Sequence, residues 1–176
     1  GAYNNINKID DILSKKMDFT FDEKLGYLTS CPTNLGTGMR ASVMLFLPAI
    51  THNKSINSVI SAVSKVGITV RGVYGEGSEA EGYMYQVSNQ ISLGLTEYDI
   101  IKNVEATVLK ICEAEAEARN KMLENDPYGI KDMVMRAYGI LTNCVKINSA
   151  EFMKLIANIK LGAALNIIKL NDCYEI

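Results

Sequence analysis

The chain has 176 residues, 48% of them hydrophobic and 22% charged, with a formal net charge of −2. This is the make-up of an ordinary globular protein, long enough for one domain with a helical appendage. It argues against non-specific nucleic-acid binding, which needs a positive field, and no stretch approaches the roughly 20 apolar residues of a membrane helix.

The first residues, GAYNNINKIDD, lack the basic-then-apolar plan of a signal peptide. Cys31, Cys112, Cys144 and Cys173 form no C-x-x-C pair, and His52 is the one histidine. A structural zinc site needs four such ligands, so no metal site is expected. Scattered cysteines without a leader fit a reducing, cytoplasmic compartment. His52, at the start of the polar stretch THNKS, is expected to mark an exposed helix entry.

In chain order, residues 7–16 predict a short helix with Ile9, Ile12 and Leu13 on one side. Residues 41–47, ASVMLFL, form a continuous apolar run stopped by Pro48, which predicts a strand covered on both faces. Ile56, Val59, Ile60, Val63 and Val66 recur at helical spacing, and Gly67 closes that helix. Residues 68–74 (ITVRGVY) and 83–91 (YMYQVSNQI) predict two more strands. Thr96 opens the longest helix with a variant capping box, TEYD, and Ile101, Val104, Val108 and Ile111 give it one apolar stripe. The stripe fades into EAEAEARNK, read as a solvated helical surface. Asp126-Pro127 breaks the helix, and two more follow over 128–144 and 150–169, the latter with Ser149 as its cap.

Three places spend glycine and charge where a plain core would not. In residues 29–40, TSCPTNLGTGMR, Pro32, Gly36 and Gly38 force an irregular connection between strands. Backbone N–H groups of such a loop can approach an anion, although GTG alone is a weak signal and a plain connecting loop is an equal reading. On pattern alone Cys31 is more readily a buried thiol than an activated one. Arg40 lies at the start of the apolar strand, either as a snorkelling surface residue or as a fixed cation facing a cleft. Arg71 ends another strand before Gly72, Gly75, Gly77 and Gly82, among which sit Glu76, Glu79 and Glu81. That stretch is either a mobile acidic hairpin tip or a catalytic loop with glycine hinges. Without a ligand to close upon, residues 75–82 are expected to be disordered.

The stretch CPTNLGTGMRASV closely resembles the signature of the guanidino kinases, the creatine and arginine kinases and their bacterial relatives. RGVYGEGSEAEGYMYQVSNQISLGLTEYD resembles that superfamily's second signature at the expected distance. The likeness is strong over about 19–108 and weaker beyond. Small-guanidine kinases usually carry histidine at the positions of Met44 and Gly77 and arginine at that of Tyr74. SVML and RGVYGEGSE look instead like the protein arginine kinase branch.

The resemblance implies a transfer of the ATP γ-phosphoryl group to arginine side chains of proteins, with Mg²⁺ bound with the nucleotide. It places Arg40 and Arg71 on ATP phosphates, with Ala41, Ser42, Val43, Met44, Gly72, Val73, Tyr74 and Gly75 lining the nucleotide site together with Glu76. It makes Glu76 the carboxylate at the substrate guanidinium and Cys31 a reactive thiol that aligns that group. A small-guanidine kinase and a non-catalytic dimerisation or adaptor module are the alternatives. The implied partners are arginine-containing protein substrates such as stress-response regulators, an activating adaptor, protease machinery that reads phosphoarginine, and a second copy in a homodimer.

Full-length relatives also carry an S-x-R-x-R phosphate clamp and an R-D-x-x-R-A motif. Neither R-x-R nor Arg-Asp occurs here. The expectation is therefore the C-terminal part of such an enzyme, inert alone and a weak ATP binder. The expected fold is α+β, an antiparallel sheet flanked by helices over 1–95 followed by a helical region over 96–176. An exposed sheet edge or apolar cleft wall should remain, open to dimerisation.

Overall fold

The structure, a computed structural model, describes residues 1–73 and 80–169. Helix α1 (Ala2–Ser14) begins earlier than its periodicity predicts, and Ile6, Ile9, Ile12 and Leu13 all remain exposed. A small hairpin follows, β1 (Phe21–Asp22) with β2 (Gly26–Tyr27), in which the Phe21 and Tyr27 rings meet edge to face at 5.2 Å.

The main sheet has three antiparallel strands, β3 (Ser42–Phe46), β4 (Ile68–Gly72) and β5 (Met84–Asn89). Their order is β3-β5-β4, so the last strand in sequence is the central one. Helices α2 (Pro48–His52) and α3 (Ile56–Ser64) fill the connection from β3 to β4. The register puts Val43, Val87 and Val70 in one row and Leu45, Tyr85 and Gly72 in the next row of the same face. Because side chains alternate along a strand, the rows Ser42–Ser88–Thr69 and Met44–Gln86–Arg71 fall on the other face. The first face meets Ile50, Ile56, Val63, Val104 and Ile111 in one apolar core.

The expectation that residues 41–47 are covered on both faces is therefore corrected. β3 is an outer strand, and Ser42, Val43 and Met44 are all exposed. On the arginine-bearing side Ser42, Met44 and Arg71 are exposed, whereas Ser88 is buried and Phe46, at the end of β3, packs against the helical cluster of Met122, Ile130 and Leu161.

Helix α4 (Glu97–Asn125) starts at the predicted capping box: Asp99 N–H donates to Thr96 Oγ1 at 3.1 Å and Thr96 N–H donates to Asp99 Oδ2 at 3.3 Å. The Thr96 hydroxyl and backbone bonds hold the Asp99 carboxyl below its ordinary value. Ile100 is buried where the stripe had pointed to Ile101, and Val104 and Ile111 are buried as expected. Met122, further along, joins a second cluster with Ala49, Ile130 and Leu161.

The acid-rich stretch holds a larger correction. Glu115 is only 3% exposed. Its Oε1 and Oε2 accept from the N–H groups of Ala49 and Ile50 at 3.1 and 3.0 Å, and Arg119 Nε reaches Oε1 at 2.6 Å. A distant carboxylate thus satisfies the first turn of α2, whose N-cap residue, Leu47, makes no side-chain cap bond. The repeat of Glu and Ala hid it because only one register of that run faces inward.

Helices α5 (Pro127–Asn143) and α6 (Ser149–Ala164) complete the chain. Asn148, not Ser149, caps α6, its Oδ1 accepting from Glu151 N–H at 2.9 Å. His52 is exposed but ends α2 instead of opening a helix. No helix among the described residues is long and apolar enough to cross a membrane.

Candidate active site

The sheet face opposite the apolar core gathers both arginines singled out from the sequence. Arg40 precedes β3 and donates through Nη2 to the Ser88 hydroxyl at 3.1 Å. Arg71 stands on β4 directly across from Gln86, whose amide donates to Ser42 Oγ at 3.1 Å. Both arginines are exposed. Two guanidinium groups beside hydroxyl and amide groups make a surface suited to phosphate oxygens, because each planar fork can pair with an oxyanion while staying charged.

Asn89 secures the approach to this face. Its Oδ1 accepts from Ala41 N–H at 2.8 Å, and its Nδ2 donates to Met39 O at 3.1 Å. Gln86, Ser88 and Asn89 were missed as site residues. The available signal was the alternation along β5, which places polar Gln86 and Ser88 on the same side as Arg71.

Ser42 and Met44 share the arginine face, and Ala41 stands at its edge. Val43 pairs with Val87 and belongs to the opposite, apolar face. Gly72 ends β4 opposite Tyr85. Val73 continues past it, donating through N–H to Met84 O at 3.0 Å and accepting from Glu81 N–H at 3.2 Å. Tyr74, Gly75 and Glu76 lie outside the described residues. Of residues 75–82, expected to be disordered, 75–79 lie outside the described residues, and Glu81 and Gly82 belong to a short turn, Glu81–Tyr83.

Cys31 precedes a 3-10 turn, Pro32–Asn34, and is exposed, contrary to the burial its pattern favoured. Its sulfur sits 3.0 Å from Thr33 Oγ1. Hydrogen bonds from the Thr33 hydroxyl and then its backbone hold the thiol below its ordinary value. The loop is fastened from both sides. Tyr27 N–H donates to Gly36 O at 2.8 Å, and buried Ser92 donates through Oγ to Leu35 O at 2.8 Å. Gly36, at φ +100, has no room for a side chain, since a Cβ would lie 2.5 Å from Ser92 O. The glycine of the GTG run therefore serves close backbone packing beneath the Cys31 loop.

Residues 1–118 match the family model described as "ATP:guanido phosphotransferase, C-terminal catalytic domain". The chain belongs to the ATP:guanido phosphotransferase family. Residues 127–175 match a second model, "Protein-arginine kinase McsB C-terminal domain". Among curated relatives, the protein-arginine kinase of Halothermothrix orenii is 48% identical over 96% of this chain and 48% of its own length. That of Bacillus subtilis is 46% identical over 93% of this chain and 45% of its own length. The chain thus spans about half the length of the curated relatives it matches. Among solved structures, a duplicated taurocyamine kinase from Schistosoma mansoni with bound transition state analog components superposes at TM-score 0.57 with 30% identity, over 76% of this chain and 19% of that one. A lombricine kinase gives TM-score 0.53 at 28% identity, over 64% of this chain and 30% of that one. The guanidino kinase family fold, α+β, is the one expected from the sequence.

Proposed function

We propose that this chain is the C-terminal part of a protein arginine kinase and supplies one wall of its ATP site. The observation that carries the reading is the sheet face shared by the exposed side chains of Arg40 and Arg71, in a chain 45–48% identical to proteins named protein-arginine kinase. Arg40 and Arg71 pair with phosphate oxygens, while Ser42 and Gln86 offer neutral polar groups between them. Mg²⁺ bound with the nucleotide supplies charge neutralisation among phosphate oxygens. Among the described residues no group of three or more His, Cys, Asp or Glu could hold a metal ion.

In the proposed transfer, a guanidinium nitrogen of a substrate arginine attacks the γ-phosphorus in line. The N–P bond forms as the β–γ P–O bond breaks, ADP departs, and the proton lost by the guanidinium passes to the Glu76 carboxylate. Cys31, its thiol eased toward thiolate by Thr33, aligns the guanidinium electrostatically without bonding to it. Positioning and charge supply most of the acceleration.

The remaining parts of the proposal are a cytoplasmic enzyme acting on stress-response regulators with an activating adaptor, and a homodimer formed through the helical region. The 176-residue segment alone is proposed to be inactive, since its relatives are about twice as long. The test gives full-length protein Mg-ATP with an arginine-containing protein or with free arginine, and reads acid-labile phosphoarginine. Phosphorylated protein supports the reading. Phosphorylation of free small guanidines alone favours the small-guanidine alternative, which the taurocyamine and lombricine kinase likeness keeps in view. Transfer by the 176-residue segment alone overturns its proposed inactivity.

A further inference from the structure

We infer that Gly82 and Met153 are positioning residues, through which helix α6 fixes the turn between the Glu76 segment and strand β5. The inference rests on the protein arginine kinase reading and adds a route from the helical region to the site.

The turn is an unusual piece of backbone. Gly82 at φ +65 and Tyr83 at φ +60 are two successive left-handed residues. Glycine takes that conformation freely, but an aromatic residue does so only when its surroundings hold it there. Tyr83 is held on two sides. Its carbonyl accepts from Leu47 N–H at 2.9 Å, and its ring lies 6.5 Å from that of Phe46.

Helix α6 closes the third side. A Cβ built at Gly82 would stand 3.1 Å from Met153 Cε and 3.3 Å from Met153 O, so the backbone of the turn lies against that of α6. Further along α6, Lys160 Nζ sits 4.7 Å from the centroid of the Phe46 ring. One helix therefore touches both the turn and the end of β3. That helix lies within the region matched to the McsB C-terminal domain, whereas the turn lies within the catalytic-domain match.

What the turn controls follows from its two neighbours. On one side, the bonds Val73 N–H to Met84 O and Glu81 N–H to Val73 O fix the two ends between which Glu76 occurs in sequence. On the other, Met84 begins β5, which carries Gln86 and Ser88 to the arginine face. A shift of α6 would act first on the tethered ends, Val73 and Glu81, between which Glu76 occurs in sequence. Arg71 stands on a strand locked by the sheet and Arg40 is tied to Ser88, so the proposed nucleotide contacts would change less.

The experiment uses the full-length protein with Met153→Ala, Met153→Leu and Gly82→Ala. Met153→Ala is expected to lower kcat for protein-arginine phosphorylation about fivefold or more while KM for ATP stays within about twofold, with Met153→Leu restoring kcat. Gly82→Ala is expected to cost more, about tenfold or greater, because it adds both a left-handed alanine and a contact with α6. If Gly82→Ala fails to fold, the Met153 pair decides. Unchanged kcat in Met153→Ala overturns the inference. So does a fall in kcat that follows the melting temperature and is not restored by leucine. Failure of the functional reading looks different, since unsubstituted protein would then phosphorylate no protein arginine.

Discussion

The Arg40 guanidinium bonds through Nη2 to the hydroxyl of Ser88 at 3.1 Å, so a fully buried side chain orients an exposed cation on the same face of the sheet as Arg71. This separates two contributions that nucleotide binding should report. Arg40→Ala or Arg71→Ala in the full-length protein should raise KM for ATP by about ten- to a hundredfold, the scale of a lost charge-assisted pair. Ser88→Ala keeps the charge and loses only its orientation, and is expected to raise KM several-fold. Steady-state kinetics with circular dichroism as a control for folding checks the order.

Cys31 should alkylate at lower pH than an ordinary thiol. Thr33 stabilises the thiolate, so the deprotonated, reactive form persists as pH falls below the range where an ordinary thiol has regained its proton. Mass-resolved iodoacetamide labelling across a pH series should place the Cys31 midpoint below those of ordinary peptide thiols measured alongside. Thr33→Val should move it up toward them.

Glu115 carries a stability prediction with a stated mechanism. Glu115→Ala removes the acceptor for Ala49 and Ile50 N–H and strands the Arg119 guanidinium, which is only 24% exposed at its side chain. The expected loss is about 3 kcal/mol, the range for removing one partner of a largely buried pair. Chemical denaturation at neutral pH measures it, and Glu113→Ala, on an exposed side of the same helix, serves as the silent control.

Gly36→Ala should destabilise by at least about 2 kcal/mol, because the residue holds φ +100 and a Cβ would meet Ser92 O at 2.5 Å. Gly94→Ala tests the two contributions apart. It has a similar backbone sign, φ +77, but nothing within 4 Å of the added carbon, so only the conformational part should appear. Thermal melts of the two variants compare them directly.

Much of this arrangement could be read in the residues. The capping box at Thr96 and Asp99 is local chemistry, written within four positions, and it occurs as expected. The arginines at the ends of β3 and β4 were visible as charges breaking apolar runs. Other features depended on distant parts of the chain. Glu115 looks like its exposed neighbours until α2, more than 60 residues earlier, presents two backbone donors to it. Val43 and Ser42 look equivalent within an apolar run, and only the pairing of β3 with β5 decides which one shares a side with Arg71. Cys31 is exposed because its loop is held by Gly36 and Ser92, a contact set by a segment far along the sequence.

Helix α1 has a consequence of its own. Thirteen residues are close to the shortest length at which a lone helix survives in water, and its isoleucines, Ile6, Ile9 and Ile12, are all exposed. Its backbone protons should trade with deuterium long before those of Val87 at the centre of the sheet. Clipping by a protease near Lys15 or Lys16 should likewise leave the melting of the remainder almost untouched. The exposed apolar row of α1 is then the first part of the described structure to open.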